Sequence, residues 1–394
     1  MTKPTEKALL PAGLTDGLPP EAAFEADIRE RLVSAFVQRG FDRVSPPLVE
    51  FEDNLLAGTG AAMSGQTFRL MDPVSQRMMG LRADITPQAA RIATTRLAHE
   101  PRPLRLCYGG EVLRIKGSQL RPERQFTQAG AELIGTSDAR ADAEMVLMAA
   151  ETLNALGIEN IKVDLCQPTL VPLVMQSLSI EGAAAHEMRA ALDAKDAAEV
   201  KALSEAFGPE AKSLFVALLA ASGPVEKVSG PIAKLPLSGA AAEARDALLA
   251  TVKLIEQADP ALDLTLDAVE NRGFEYHSGV TFTLFAPGVR GELGTGGRYI
   301  AGLSDTRQAN TDGEAATGFT LFLDSILRAL PRPDAASKVY LPDGVSRATG
   351  EELRRQGFRT LQGYATGSAA KAEAARLECT HLLVDGTPVP LDGL

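Results

Sequence analysis

The chain has 394 residues, 45% hydrophobic and 23% charged, which is ordinary for a soluble globular protein with room for two or three domains. Its formal net charge of −11 argues against broad nucleic-acid binding, because phosphate contacts need a basic surface. The three cysteines, Cys107, Cys166 and Cys379, lie far apart and form no C-x-x-C pair or Cys/His cluster. Neither a zinc site nor a disulfide framework is expected, and reduced thiols are. The N-terminal segment has no apolar core of a signal peptide, and no apolar run of membrane-spanning length follows. A cytoplasmic protein with no membrane partner is expected.

Residues 1–19 are rich in Pro and Gly and read as an extended lead-in. Helical spacing of Phe24, Ile28, Leu32, Val33 and Phe36 predicts a helix from Pro20 to Arg39, ended by Gly40. Phe41 to Phe51 reads as a strand broken by Pro46-Pro47, hence an edge or interface strand. Thr67–Met71 and Gln76–Arg82 read as a hairpin around Asp72-Pro73, and Thr86 to His99 as a helix with Pro87 in its first turn. Leu104–Arg114 and Arg124–Ile134 are strands joined by a loop rich in Gly, Arg and Lys, and Asp138–Gly157 is an Ala-rich helix.

Residues 169–260 turn to Ala, Leu, Glu and Lys and predict a helical insertion. Strand signals return at Leu262–Ala268 and Val280–Phe285, a helix follows from Thr320 to Leu330, and Pro331-Arg332-Pro333 reads as a linker. Short apolar stretches in the tail predict a small appendage.

Three segments carry chemistry. The first is Leu81-Arg82-Ala83-Asp84-Ile85-Thr86-Pro87. Asp84 is suited either to an ammonium ligand or to capping the helix that follows it. The second runs Glu111-Val112-Leu113-Arg114-Ile115-Lys116, then Arg124-Gln125-Phe126-Thr127-Gln128-Ala129-Gly130-Ala131-Glu132. Its basic loop suits an anion, a partner protein or plain solvent. The third is Asn271-Arg272-Gly273-Phe274-Glu275-Tyr276-His277-Ser278-Gly279, followed by Gly296-Gly297-Arg298-Tyr299.

Together these segments resemble the signatures of the histidyl-tRNA synthetase family. The resemblance covers about residues 8–330 and implies an α+β fold. That fold is a class II aminoacyl-tRNA synthetase-like antiparallel sheet flanked by helices. Its expected parts are a core at 1–168, a helical insertion at 169–260, the rest of the core at 261–330 and a small C-terminal domain at 331–394.

The resemblance further implies a histidine site built from Asp84, Thr86, Arg114, Gln128, Glu132, Arg272, Tyr276, His277 and Tyr299. In it Asp84 would meet the α-amino group, Arg272 the carboxylate, and the tyrosines the imidazole. Arg114 matches the family's α-phosphate arginine. His277 stands where the family has a second tyrosine.

Several departures separate the chain from a working synthetase. Lys116 replaces an acid. In Thr317-Gly318-Phe319-Thr320-Leu321-Phe322-Leu323-Asp324-Ser325, Ser325 stands where the family's γ-phosphate arginine would be and Phe322 where a small residue admits the nucleotide. The tail after Pro331 is also shorter than the anticodon-binding domain of those enzymes. These features resemble one branch of the family, the regulatory subunits of short-form ATP phosphoribosyltransferase. That resemblance implies no catalytic residues, no cofactor, no metal and no tRNA. It also implies a homodimer through Phe41–Phe51, a hetero-octamer with a short catalytic subunit, and L-histidine as ligand. The alternatives are an active histidyl-tRNA synthetase, another synthetase paralogue, or a binding module with a vestigial pocket.

Overall fold

The computed structural model describes residues 9–119, 121–270, 276–302, 313–332 and 337–393. The chain divides into two compact units, Met1–Pro331 and Arg332–Leu394.

In chain order the first unit begins with α1 (Glu21–Gln38), β1 (Asp42–Arg43), β2 (Val49–Phe51), α2 (Glu52–Leu55), β3 (Arg69–Met71), β4 (Met78–Leu81) and α3 (Thr86–Arg91). Then come β5 (Leu104–Leu113), β6 (Gln125–Ile134), α4 (Ala139–Ala155) and β7 (Lys162–Cys166). A helical stretch follows: α5 (Leu170–Ser177), α6 (Gly182–Asp193), α7 (Ala197–Ser204), α8 (Pro209–Ala220), β8 (Ser222–Pro224), α9 (Val225–Ala233) and α10 (Gly239–Ala258). The unit closes with β9 (Asp263–Asp267), β10 (His277–Phe285), β11 (Gly294–Ala301), β12 (Glu314–Phe322) and α11 (Leu323–Ala329).

Nine strands form the main sheet, in the order β1-β5-β6-β12-β11-β10-β7-β9-β8. Its centre, from β5 to β7, is antiparallel throughout. Parallel pairs join at the flanks, β1 with β5 and β7 with β9, so the sheet is mixed where an antiparallel one was expected. The predicted strand Phe41–Phe51 divides at its prolines. Its first half, β1, joins the main sheet, and its second half, β2, pairs with the β3–β4 hairpin in a separate sheet. That hairpin turns where Asp72 accepts from the backbone of Val74 and Ser75, as short polar side chains do in turns.

Strand alternation sends one face of the sheet into the core and the other into a cavity. On β6, Ala129, Ala131 and Leu133 enter the core, where α1 packs with Ile28, Leu32, Val33 and Phe36 at helical spacing. Phe36 meets Phe319 of β12 edge-on, ring centroids 5.4 Å apart, a favoured aromatic geometry. The apolar faces of α4 and α10 bury in the same cluster. The predicted helix from Thr320 begins only at Leu323, because β12 continues through Phe322.

The helical stretch is fastened to the sheet by a charge. Lys195 places Nζ 2.6 Å from both Asp267 oxygens at the end of β9. Asp267 also accepts from Ser222 Oγ and from the backbone N–H groups of Val269 and Glu270.

The second unit has a four-stranded sheet, ordered β14 (Arg359–Gln362), β13 (Lys338–Leu341), β15 (His381–Val384), β16 (Thr387–Pro390). The helices α12 (Arg347–Arg355) and α13 (Gly367–Arg376) connect its parallel strands. A buried Tyr340 donates to Glu373 of α13.

Replacing Phe36 by Ala leaves a cavity between α1 and the sheet, so Phe36→Ala is expected to lower unfolding stability by about 3–5 kcal/mol. Urea denaturation checks this. A loss under ~1 kcal/mol would mean α1 is not part of the cooperative core.

Candidate functional site

A cavity of about 250 Å³ opens on the non-core face of the central strands. Asp84, Thr86, Arg114, Gln128, Glu132, Tyr276, His277 and Tyr299 all line it. These residues lie far apart in sequence, and the antiparallel register brings them together. Gln128 and Glu132 alternate inward on β6, opposite Phe322 and Gly318 of β12. Tyr299 of β11 sits opposite His277 of β10. Asp84 and Thr86 stand at the start of α3. The remaining candidate, Arg272, belongs to the segment 271–275, outside the described residues.

Glu132 is the most constrained group. It is 1% exposed. Its Oε1 accepts from Tyr108 Oη at 3.0 Å and its Oε2 from Tyr299 Oη at 2.9 Å. Tyr108 also meets Thr320 Oγ1 at 2.9 Å and Thr86 Oγ1 at 3.0 Å. Desolvation raises the carboxyl from the ordinary 4.5 to about 8, outweighing the hydrogen bonds that favour its charged form. Burial beside that carboxyl pushes both tyrosines well above their usual range. Gly318 makes the arrangement possible: a Cβ there would lie 1.8 Å from Glu132 Oε2. In the sequence Gly318 stands only as one glycine within Thr317–Ser325.

Around this carboxyl stand aromatic walls. Tyr276 stacks on His277 with centroids 4.1 Å apart and meets Tyr299 edge-on at 6.2 Å. Asp84 Oδ1 accepts from Thr86 N at 3.4 Å, a long bond, so the carboxylate touches the helix start and lines the cavity as well. Gln128, 1% exposed, accepts from Ile85 N at 3.1 Å and so holds the start of α3 over the sheet. Arg114 donates Nε to Ala83 O at 3.3 Å and lies 5.1 Å from the Phe126 ring centroid. Desolvation lowers its pKa, which leaves it a cation short of water. Arg298, central to the Gly-Gly-Arg-Tyr signature, has a structural role instead. It binds Asp142 Oδ2 at 2.8 Å and the carbonyls of Thr136 and Asp138.

The end expected to lack cationic charge contains two arginines. Ser325 is fully buried, and its Oγ accepts from Arg121 at 3.3 Å and from Arg328 at 3.0 Å. Both are engaged by acids: Arg121 by Asp324 and Glu292, Arg328 by Asp324 and Glu123. Sequence reading passed over Arg121, Glu292 and Tyr108. Only the crowding of arginines in 114–124 hinted at the first. Phe322, noted for its bulk, carries the Arg121 guanidinium 3.9 Å from its ring centroid. Lys116 is exposed, away from the cavity lining. Among the described residues no cluster of three or more His, Cys, Asp or Glu suits a metal. Nor is any helix among them long and apolar enough to cross a membrane.

The raised Glu132 pKa has a sign. An acid that holds its proton longer in the folded state favours folding at low pH, and that advantage is lost between about 4.5 and about 8. Relative to Glu132→Gln, the native chain should lose stability as pH rises from 5 to 8, by up to ~1.4 kcal/mol per unit. Urea midpoints measured across that range check it. Parallel curves for the two proteins would show that the carboxyl is already ionised.

Comparison with known proteins places this geometry in a family. The sequence profile described as Histidyl-tRNA synthetase matches residues 13–326. The ATP phosphoribosyltransferase regulatory subunit of Paramagnetospirillum magneticum is 52% identical over 383 residues, covering 97% of this chain and 98% of that protein. That of Rhodospirillum centenum is 49% identical over 379 residues, covering 96% and 95%. A crystal structure of an ATP phosphoribosyltransferase regulatory subunit/histidyl-tRNA synthetase from Bacillus halodurans C superposes with a TM-score of 0.77 at 22% identity, covering 95% of this chain and 97% of that one. At that identity it speaks for the fold alone. On the strength of its full-length relatives, the chain belongs to the family of ATP phosphoribosyltransferase regulatory subunits, built on a histidyl-tRNA synthetase-like core.

Proposed function

We propose that this chain is the non-catalytic regulatory subunit of a short-form ATP phosphoribosyltransferase, the first enzyme of histidine biosynthesis. It is needed for the activity of the catalytic subunit and reads L-histidine in the cavity described above. The observation that carries this reading is the cavity's division into chemically distinct ends. The Glu132 carboxyl, held by Tyr108 and Tyr299 in a cavity that Tyr276 and His277 also line, suits an imidazole, since a protonated acid can donate and accept hydrogen bonds. The Asp84 carboxylate suits an α-ammonium group and the desolvated Arg114 an α-carboxylate. Arg272 is a further candidate for the carboxylate.

The core of the assembly would be a homodimer formed through Phe41–Phe51, joined with catalytic subunits into a cytoplasmic hetero-octamer. Histidine can alter activity only by binding the active and inhibited arrangements with different affinity. In chain order, the tail unit, Arg332–Leu394, would replace the anticodon-binding domain of synthetases. The synthetase alternative is disfavoured by the engagement of Arg121 and Arg328 with internal acids at the end where a nucleotide would be anchored.

Loss of the Asp84 carboxylate removes a charge-assisted contact. Asp84→Ala should therefore raise the histidine concentration for half-inhibition of the reconstituted enzyme about tenfold or more. Unchanged inhibition in an intact complex would move the histidine site elsewhere. The chain alone should give no histidine-dependent ATP–pyrophosphate exchange, while adding it to the short catalytic subunit should raise phosphoribosyl transfer. Exchange above background would restore the synthetase reading.

A further inference from the structure

The cavity has a wall that none of the strands supplies. Arg121 comes from the connection between β5 and β6, yet its side chain is only 7% exposed and lines the cavity. Nε donates to Asp324 Oδ2 at 2.9 Å. Nη2 lies 3.2 Å from Glu292 Oε1 and donates to Ser325 Oγ at 3.3 Å and to Glu292 O at 3.4 Å. The guanidinium carbon lies 3.9 Å from the Phe322 ring centroid and 5.1 Å from that of Phe126. A planar, delocalised cation can satisfy acids at its edge and aromatic rings at its face together. The loop is braced as well: Arg121 N donates to Ser118 Oγ at 2.9 Å and Ser118 N to Arg121 O at 2.6 Å.

This wall stands close to Arg114, the group proposed for the ligand's carboxylate: the two guanidinium carbons each lie 5.1 Å from the Phe126 ring centroid. The cavity that Arg121 lines measures about 250 Å³. We infer that Arg121 is a size gate, admitting a free amino acid and excluding one extended from its carboxyl group, such as an aminoacyl adenylate. The inference rests on the histidine reading of the cavity and deepens it. An extended ligand would have to displace Arg121 from both acids, and its phosphate would then face the Glu292 and Asp324 carboxylates. Removing the arginine strands neither acid. Asp324 keeps Arg328 at 3.1 Å, and Glu292 is 26% exposed and can be hydrated.

The test is calorimetric titration of the full chain with L-histidine and with histidyl-sulfamoyl-adenosine, a non-hydrolysable adenylate mimic. The proteins are the native chain, Arg121→Ala and Asp324→Asn. The native chain should prefer histidine. In Arg121→Ala the ratio of the two affinities should move toward the mimic by about tenfold or more, and Asp324→Asn should move it the same way by less. The second variant decides the matter if the first does not fold. Native chain that binds the mimic as tightly as histidine would overturn the gate, as would an unchanged ratio in a folded variant that still binds histidine. Failure of the native chain to bind histidine at all would overturn the histidine reading and the gate together.

Discussion

A carboxyl group without solvent lies at the heart of this molecule, and the central strands are arranged around it. Glu132 points from β6 beneath Gly318 of β12, between the hydroxyls of Tyr108 and Tyr299. An ionised carboxylate there would carry a desolvation cost of several kcal/mol, so the group keeps its proton into the neutral range. In the proposed reading this carboxyl faces the imidazole, and an apolar ligand would leave polar groups of the cavity unmatched. The same geometry explains why β12 needs glycine at that register, where any side chain would collide with the carboxyl.

The two ends of the cavity differ in how their charges are used. At one end, Asp84, Glu132 and Arg114 line the cavity together. At the other end, Arg121 and Arg328 neutralise Asp324, Glu292 and Glu123 within the protein itself. A cation paired with internal acids and pressed on Phe322 offers little to an incoming phosphate. Charge is present at the nucleotide end but turned inward. That arrangement fits the non-catalytic role proposed for the chain, and its relatives are named regulatory subunits.

Much of this was legible in the sequence where the pattern is local. The α1 periodicity, the hairpin at Asp72, the β5–β6 pair and the Ala-rich α4 all formed as read. Of the residues the motifs singled out, Gln128, Glu132 and Tyr299 reach the cavity by strand alternation, while Asp84 and Thr86 reach it from the start of α3 and Arg114 from just past β5. Long-range facts were not legible. The strand β8 inside the helical stretch pairs with β9 through only three residues, too few to give a periodic signal. The start of α11 was misjudged because Thr320–Phe322 is apolar enough to suit helix or buried strand, and pairing with β6 decides for the strand. Ser325 reads in sequence as a missing cation, yet two arginines from elsewhere reach it. Arg298 reads as part of a ligand signature, yet it braces α4.

The most direct measurement of the central claim is calorimetric titration of L-histidine into the isolated chain, beside a titration of ATP. The account predicts heat from histidine with one site per chain and none from ATP. ATP binding, or no histidine binding by the isolated chain, would contradict it.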